Sequence, residues 1–127
     1  MYASYMKNAI RLVSFDFDGT LIKENAWTVF NQACGMDPEI DKAYYRKYHA
    51  GEITYEEWIQ GLVTIWKQKG SVTRAIGTSV GNQLTLQEGM VEVLEYLRDR
   101  GYRIVVTTGG IDIVVRPFLE KFGIFDI

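Results

Sequence analysis

Two aspartates, one residue apart, close the first apolar run of the chain. Asp16 directly follows the stretch "IRLVSF", Phe17 separates it from Asp18, and Gly19 comes next. Two carboxylates this close repel each other, and charge beside an apolar core is costly to desolvate. One kind of chemistry suits such a pair: Asp16 attacks an electrophile, while Asp18 gives a proton to the leaving group and later takes one from water. A divalent cation would screen the repulsion and bind phosphate oxygens.

The run that carries these aspartates predicts a buried parallel strand over residues 10–17, because it is short, apolar and rich in β-branched and aromatic residues. Alternation along a strand would put Asp16 and Asp18 on one side, at the carboxyl end where α/β proteins bind ligands. Residues 18–23 are predicted as a loop. The simplest alternative is an exposed acidic pair at a strand end. A second alternative, a calcium loop, needs its glycine further on and a distal glutamate, whereas Gly19 comes directly after Asp18.

Capping residues and glycines predict the remaining elements. Helices are expected from Asn25 to Cys34, from Asp37 to Gly51, from the Thr54 and Glu57 capping box to Lys69, over 73–82 and over 89–100; a strand over 102–107; the turn Thr108-Gly109-Gly110; and a last helix bent or restarted at Pro117. The order predicts an α/β fold with a parallel sheet, in which a helical block separates the first strand from its returning helix.

The composition of the chain excludes several classes of protein. Its 127 residues fit one ordinary domain, and 47% hydrophobic with 24% charged residues indicates a globular chain. A net charge of −2 without a basic run argues against nucleic-acid binding, and no apolar run is long enough to span a membrane. Cys34 is the only cysteine, which excludes an intrachain disulfide and a cysteine zinc site. A reducing cytoplasmic location is expected.

Two segments resemble motifs of the haloacid dehalogenase superfamily, whose members are mostly phosphatases. The stretch "DFDGTL" (16–21) is similar to the first motif, and "IVVTTGG" (104–110) is similar to the second. The resemblance implies a partial Rossmann-like core of parallel strands, formed by 1–23 and 88–127, with an inserted helical cap over 24–87. This arrangement is that of the phosphoserine phosphatase-like branch.

The same resemblance implies an enzyme: a Mg²⁺-dependent hydrolase of a small phosphorylated metabolite. Asp16 would form an aspartyl-phosphate and Asp18 would act as general acid and base, with both residues at the Mg²⁺ ion. Thr108 and backbone N–H groups near Gly19 and Gly109 would hold phosphate oxygens.

Substrate recognition is expected from the helical block. In phosphoserine phosphatases a glutamate contacts the substrate amino group; Asn25 holds that position here, beside Glu24, and both are candidate substrate residues. Leu62 falls where those enzymes have an arginine. The block is instead rich in aromatic residues, which either pack helices together or line an apolar or cationic pocket: Trp27, Tyr44, Tyr45, Tyr48, Trp58 and Trp66.

The superfamily's third motif, a lysine, and its fourth, one or two acids, have no match. Lys121 and Asp126 come too early in the chain to supply them. Their absence keeps a second interpretation open: a truncated, inactive relative that serves as a binding or assembly subunit. With one partner strand present, the other edge of the first strand would be bare, which predicts a homo-oligomer or a strand-complementing partner.

Overall fold

A computed structural model describes residues 11–70 and 72–127 of the chain. Its regular elements are, in chain order, β1 (Leu12–Phe15), α1 (Ala26–Ala33), α2 (Pro38–His49), α3 (Tyr55–Lys69), α4 (Arg74–Gly81), α5 (Met90–Asp99), β2 (Arg103–Val106) and α6 (Asp112–Glu120).

Strands β1 and β2 pair in parallel, from Leu12 opposite Arg103 to Phe15 opposite Val106. Both strands therefore end at the same edge of the sheet, which confirms the predicted α/β class with parallel strands. On the other side of β2, the Val106 N–H donates to the carbonyl of Asp126 at 2.9 Å. Within the described residues β1 pairs only with β2, and Leu12 at its start is 50% exposed. Pairing of that edge with another chain stays a prediction.

The first strand is shorter than predicted, and the chain turns before the second aspartate. β1 ends at Phe15, while Ile10 lies outside the described residues. A single wide turn over 17–21 replaces the predicted loop: the Ile22 N–H donates to the Phe17 carbonyl at 3.2 Å, and Gly19 takes the left-handed φ of 69° that glycine tolerates. Phe17 is fully buried in the turn, so burial of apolar side chains bends the backbone there. Strand alternation consequently does not set the direction of Asp18.

The predicted helix starts are confirmed by their hydrogen bonds. Asn25 accepts from the Thr28 N–H at 3.1 Å, and Asp37 accepts from the Glu39 N–H at 2.9 Å. Thr54 forms the full capping box at the start of α3, with hydrogen bonds in both directions. Each cap satisfies N–H groups that the first turn of a helix leaves without partners.

The last helix runs through its proline, where a bend or restart was predicted. Pro117 lies inside α6 and has no N–H to donate to the Ile113 carbonyl. Helix α4 packs against this segment, and a Cβ built on Gly77 would lie 2.4 Å from the Ile113 oxygen. The missing side chain at Gly77 is what allows the backbones of α4 and α6 to approach so closely.

The two linkers that flank the predicted insertion, 24–87, lie side by side. Ile22 and Leu86 form an antiparallel bridge, with the Lys23 N–H donating to the Thr85 carbonyl at 2.9 Å. One apolar cluster nevertheless includes residues from both proposed parts, such as Phe30 and Val114. The division into core and cap therefore stays a prediction. No helix within the described residues is long and apolar enough to cross a membrane.

Candidate active site

Asp16 lies where β1 ends, at the edge of the sheet that also receives the end of β2. Its side chain is exposed and accepts a hydrogen bond from the Thr20 hydroxyl at 3.3 Å. The parallel ladder continues past the strands, because the Thr107 N–H donates to the Phe15 carbonyl at 2.8 Å. The residue before Asp16 is therefore hydrogen-bonded to the end of β2, which fixes the backbone at this point. The Asp16 carboxylate faces solvent, where a ligand can reach it.

Asp18 is half-buried and is held against the first turn of α1. Its Oδ1 accepts the N–H of Ala26 at 2.6 Å, a donor that the helix itself leaves free. Burial raises the pKa of Asp18, the Ala26 N–H lowers it, and the charge of Asp16 raises it again; the pKa lies above its ordinary value. A carboxyl group with a raised pKa can hold a proton and release it, as a general acid must.

The segment after β2 brings a hydroxyl to the same edge. Thr108 Oγ1 accepts the N–H of Gly110 at 2.9 Å, so its own O–H remains available as a donor. A Cβ on Gly110 would lie 2.8 Å from Val115 Cγ2 and 3.0 Å from Thr108 Oγ1, so a side chain there would displace the hydroxyl. The carbonyl of Gly109 accepts from Trp27 Nε1 at 3.1 Å, which fixes the turn against α1.

Other predicted site residues have structural partners. The N–H of Gly19 donates to the Glu24 carbonyl at 3.3 Å, so this proposed phosphate donor is already engaged. Glu24 Oε2 accepts the Thr85 N–H at 2.9 Å; burial works to raise its pKa, but the hydrogen bonds from Thr85 prevail and the pKa lies below its ordinary value. Lys121 donates to the side chain of Asn82 and takes no part in this edge of the sheet.

Gln87 ties the returning linker to the turn that carries Asp18, a role that the sequence analysis missed. Its Nε2 donates to the carbonyls of Gly19 at 3.3 Å and Ile22 at 3.2 Å, and its backbone N–H donates to Leu21 at 2.9 Å. A glutamine in a linker carries no sequence signal of such a role, because its partners lie more than sixty residues earlier.

A cavity of about 440 Å³ opens beside Asp18, within the usual range for small-molecule sites. Three of the predicted site residues line it, namely Asp18, Asn25 and Gly109. The remaining lining comes from the helical block: Trp27, Thr28, Asp41, Lys42, Tyr45, Tyr55, Trp58, Ile59 and Leu62.

The aromatic residues of the block divide between packing and the cavity. Trp66 is buried and donates its indole N–H to Asn31 Oδ1 at 2.9 Å, while the ring of Tyr44 covers Gly61. Trp27, Tyr45 and Trp58 line the cavity together with Tyr55, which the sequence analysis did not single out. No residue of α2 is buried, and a tyrosine-rich helix of this kind is the signal that points to an accessible aromatic surface.

The sequence pattern that defines haloacid dehalogenase-like hydrolases matches residues 10–127. The chain belongs to this family. The predicted membership, based on "DFDGTL" and "IVVTTGG", is thereby confirmed.

Among curated relatives of this haloacid dehalogenase-like chain, the phosphoserine phosphatase of Methanocaldococcus jannaschii is 29% identical over 121 residues, covering 94% of this chain and 54% of the relative. The 2-hydroxy-3-keto-5-methylthiopentenyl-1-phosphate phosphatase of Brevibacillus brevis is 27% identical, covering 92% and 51%. A solved structure described as a phospho-aspartyl intermediate analogue of phosphoserine phosphatase superposes with a TM-score of 0.72 at 26% identity, covering 94% and 55%. The chain spans about half the length of the relatives it matches.

The two aspartates of this haloacid dehalogenase-like chain are the residues that suit a divalent cation. Among the described residues, no group of three or more His, Cys, Asp or Glu side chains could hold a metal ion. Mg²⁺ keeps several waters and is commonly bound through one or two carboxylates together with substrate phosphate. Asp16 fits such a partial site, because its carboxylate is exposed and, in the part of the chain that the structure describes, only the Thr20 hydroxyl donates to it.

Proposed function

We propose that this chain supplies the nucleophile, the proton-transferring acid and the substrate cavity of a phosphomonoester hydrolase of the phosphoserine phosphatase-like branch. One observation carries the proposal: a half-buried Asp18 with a raised pKa stands two residues after an exposed Asp16, at the sheet edge that also holds Thr108. The relative trapped as a phospho-aspartyl intermediate analogue supports the same chemistry by resemblance. A small phosphorylated metabolite is the proposed substrate, and a reducing cytoplasm the proposed location.

The residues divide the reaction into two displacements. In the first, the Asp16 carboxylate attacks phosphorus and the bond to the ester oxygen breaks, while protonated Asp18 gives its proton to the departing alcohol. Because Oδ1 of Asp18 is occupied by the Ala26 N–H, Oδ2 is the atom that carries this proton. In the second, water attacks the aspartyl-phosphate, Asp18 takes the proton from the water, and phosphate leaves with Asp16 restored. The Thr108 hydroxyl donates to a phosphate oxygen throughout.

Mg²⁺ is the proposed cofactor, held by Asp16 and the backbone carbonyl of Asp18. When bound, the cation would neutralise the phosphate charge that otherwise repels the Asp16 carboxylate. The chain's own contribution is to keep Asp16 exposed and Asp18 anchored. Glu24 and Asn25 stay proposed substrate residues: Asn25 lines the cavity, whereas Glu24 is bonded to Thr85 in the linker.

Hydrolysis of p-nitrophenyl phosphate by the 127-residue chain, with Mg²⁺, tests this proposal. Asp16→Asn should abolish turnover, and Asp99→Asn, which neutralises an exposed acid at the end of α5, should leave it unchanged. Acid-quenched protein should carry the phosphoryl group on the tryptic peptide 12–23. Full activity of Asp16→Asn would refute the mechanism. A folded chain without turnover would favour the alternative, a binding or assembly subunit that keeps the fold.

A further inference from the structure

Three aromatic rings from α2 and α3, those of Tyr45, Tyr55 and Trp58, line the cavity. The ring centroids of Tyr45 and Tyr55 lie 6.0 and 6.1 Å from that of Trp58, with planes at 79° and 82° to it. Tyr45 also packs against the ring of His49 at 4.2 Å, and Tyr55 against that of Tyr48 at 6.0 Å. Tyr45 and Tyr55 nevertheless remain 53% and 50% exposed, so part of each surface stays accessible. Rings that meet at right angles around a cavity present π faces in more than one direction to whatever enters it.

The charges beside these rings leave the cavity wall with an unbalanced acid. Lys42, the one cation among the described residues of the lining, pairs its Nζ with Glu39 Oε1 at 2.8 Å. Asp41 has no ion-pair partner among the described residues. An unpaired carboxylate next to aromatic faces creates a region that attracts positive charge.

The lining offers little to a ligand that carries a carboxylate. Apart from the paired Lys42, its residues within the described chain include no lysine, arginine or histidine, and the wall beside the rings is completed by Ile59 and Leu62.

We propose that this cavity selects phosphomonoesters whose alcohol carries a compact cationic nitrogen, such as a quaternary ammonium, and no carboxylate. The inference rests on the proposed phosphatase function, with phosphate at Asp16, Asp18 and Thr108 and the cation between the rings and Asp41. A neutral apolar alcohol would cover Asp41 without giving it a partner, which is costly. A phosphorylated amino acid would add a carboxylate close to Asp41, with no unpaired cation to receive it.

A pair of nearly isosteric ligands isolates the effect of the charge. Choline phosphate and 3,3-dimethylbutyl phosphate differ in that carbon replaces the quaternary nitrogen, so the phosphate contributes about equally to the binding of both. Trp27 and Trp58 line the cavity, so tryptophan fluorescence can report binding. The dissociation constants are measured with Mg²⁺ on the full chain carrying Asp16→Asn, which should hydrolyse neither ester, and the variants below are made in the same background. We expect choline phosphate to bind at least about tenfold more tightly, from the attraction of a cation to aromatic faces.

Matched variants identify the groups responsible. Tyr45→Leu should remove most of the preference, whereas Tyr45→Phe keeps the ring and should retain it. Asp41→Asn should reduce the preference, and Asp99→Asn, which changes net charge equally but lies on α5, should not. Since the ratio compares two phosphates, these effects do not depend on turnover.

Free choline separates this inference from the phosphatase proposal. Suppose that choline binds, that Tyr45→Leu abolishes this binding, and that neither phosphate ester binds more tightly than choline. This result would support the cation site and count against the phosphate site. Equal binding of the two esters, or no binding of choline and of choline phosphate, would overturn the cation site. In that case, turnover of p-nitrophenyl phosphate that requires Asp16 would still leave the phosphatase proposal standing.

Discussion

The close contact between α4 and α6 predicts how the addition of a single carbon atom, at Gly77, would change the stability of the fold. A Cβ at Gly77 would lie 2.4 Å from the Ile113 oxygen and 2.9 Å from its carbonyl carbon. An ordinary contact between carbon and a carbonyl oxygen is about 3.3–3.6 Å, so the helices would have to separate by about 1 Å. The atoms that the Cβ would meet belong to the backbone carbonyl of Ile113 rather than to the end of a flexible side chain. This is the carbonyl that Pro117, which has no N–H, leaves without an intrahelical donor.

Gly77→Ala should therefore lower the free energy of unfolding by about 1–2 kcal/mol. Overpacking costs about 1–3 kcal/mol, and replacing glycine inside a helix returns up to about 1 kcal/mol. Gly81→Ala is the matched control on the same helix: its Cβ would lie 3.3 Å from the Val114 oxygen, which needs a shift of only a few tenths of an ångström. Gly81→Ala should therefore cost much less stability than Gly77→Ala.

Urea unfolding, followed by circular dichroism, gives the free energy of unfolding of both variants. The comparison holds if the dependence of this free energy on urea concentration is the same in each variant. The reasoning is refuted if Gly77→Ala is as stable as the parent chain, or if the two alanine variants lose equal stability. Either result would mean that α4 is not held against the Ile113 carbonyl.

Three further predictions concern the site and its supports. Because the pKa of Asp18 is raised in the folded chain, the contribution of Asp18 to stability is present below the ordinary pKa and is lost as the pH rises through the raised value. The melting temperature of Asp18→Asn should therefore increase relative to that of the parent chain as the pH rises from about 3 to 7 without metal. A difference in melting temperature that stays constant with pH would contradict this. Asn31→Ala leaves the buried Trp66 N–H without its acceptor and should cost about 2 kcal/mol in urea unfolding, more than the same change at an exposed asparagine. Gln87→Met keeps the length of the side chain but removes the donor to the Gly19 carbonyl. Amide hydrogens in the turn over 17–21 should then exchange faster with solvent, and unchanged exchange rates would exclude a positioning role for Gln87.

Helix ends could be predicted from sequence because their causes are local. Asn25, Asp37 and Thr54 cap helices through hydrogen bonds to residues two or three positions along, and each is found as predicted. The end of β1 could not be predicted in the same way. Phe17 continues the apolar pattern of a strand, yet its side chain enters the core from a turn, where it meets the ring of Phe118 at 5.6 Å. That partner lies about a hundred residues later, beyond the reach of any local pattern.

In the candidate site, too, the residues that could be predicted are those with a local sequence signal. Asp16, Asp18 and Thr108 are recognisable because they follow apolar strands in short motifs, whereas Asp41 and Tyr55 gain significance only when α2 and α3 fold over Asp18. A cavity residue from the helical block has no fixed spacing from the aspartates, since its place is set by the packing of helices rather than by the strand.

The linkers explain how the cavity and the aspartate pair can nonetheless act together. The chain leaves the turn through Ile22 and returns through Leu86, and these two segments bond to each other. Gln87 then joins the returning segment to the carbonyl of Gly19, one residue after Asp18. These hydrogen bonds join the base of the helical block to the turn that carries Asp18, so we expect the position of the cavity wall and the position of Asp18 to depend on each other. A substitution in the linkers should accordingly alter substrate affinity and proton transfer together, whereas one on the cavity wall should alter affinity alone.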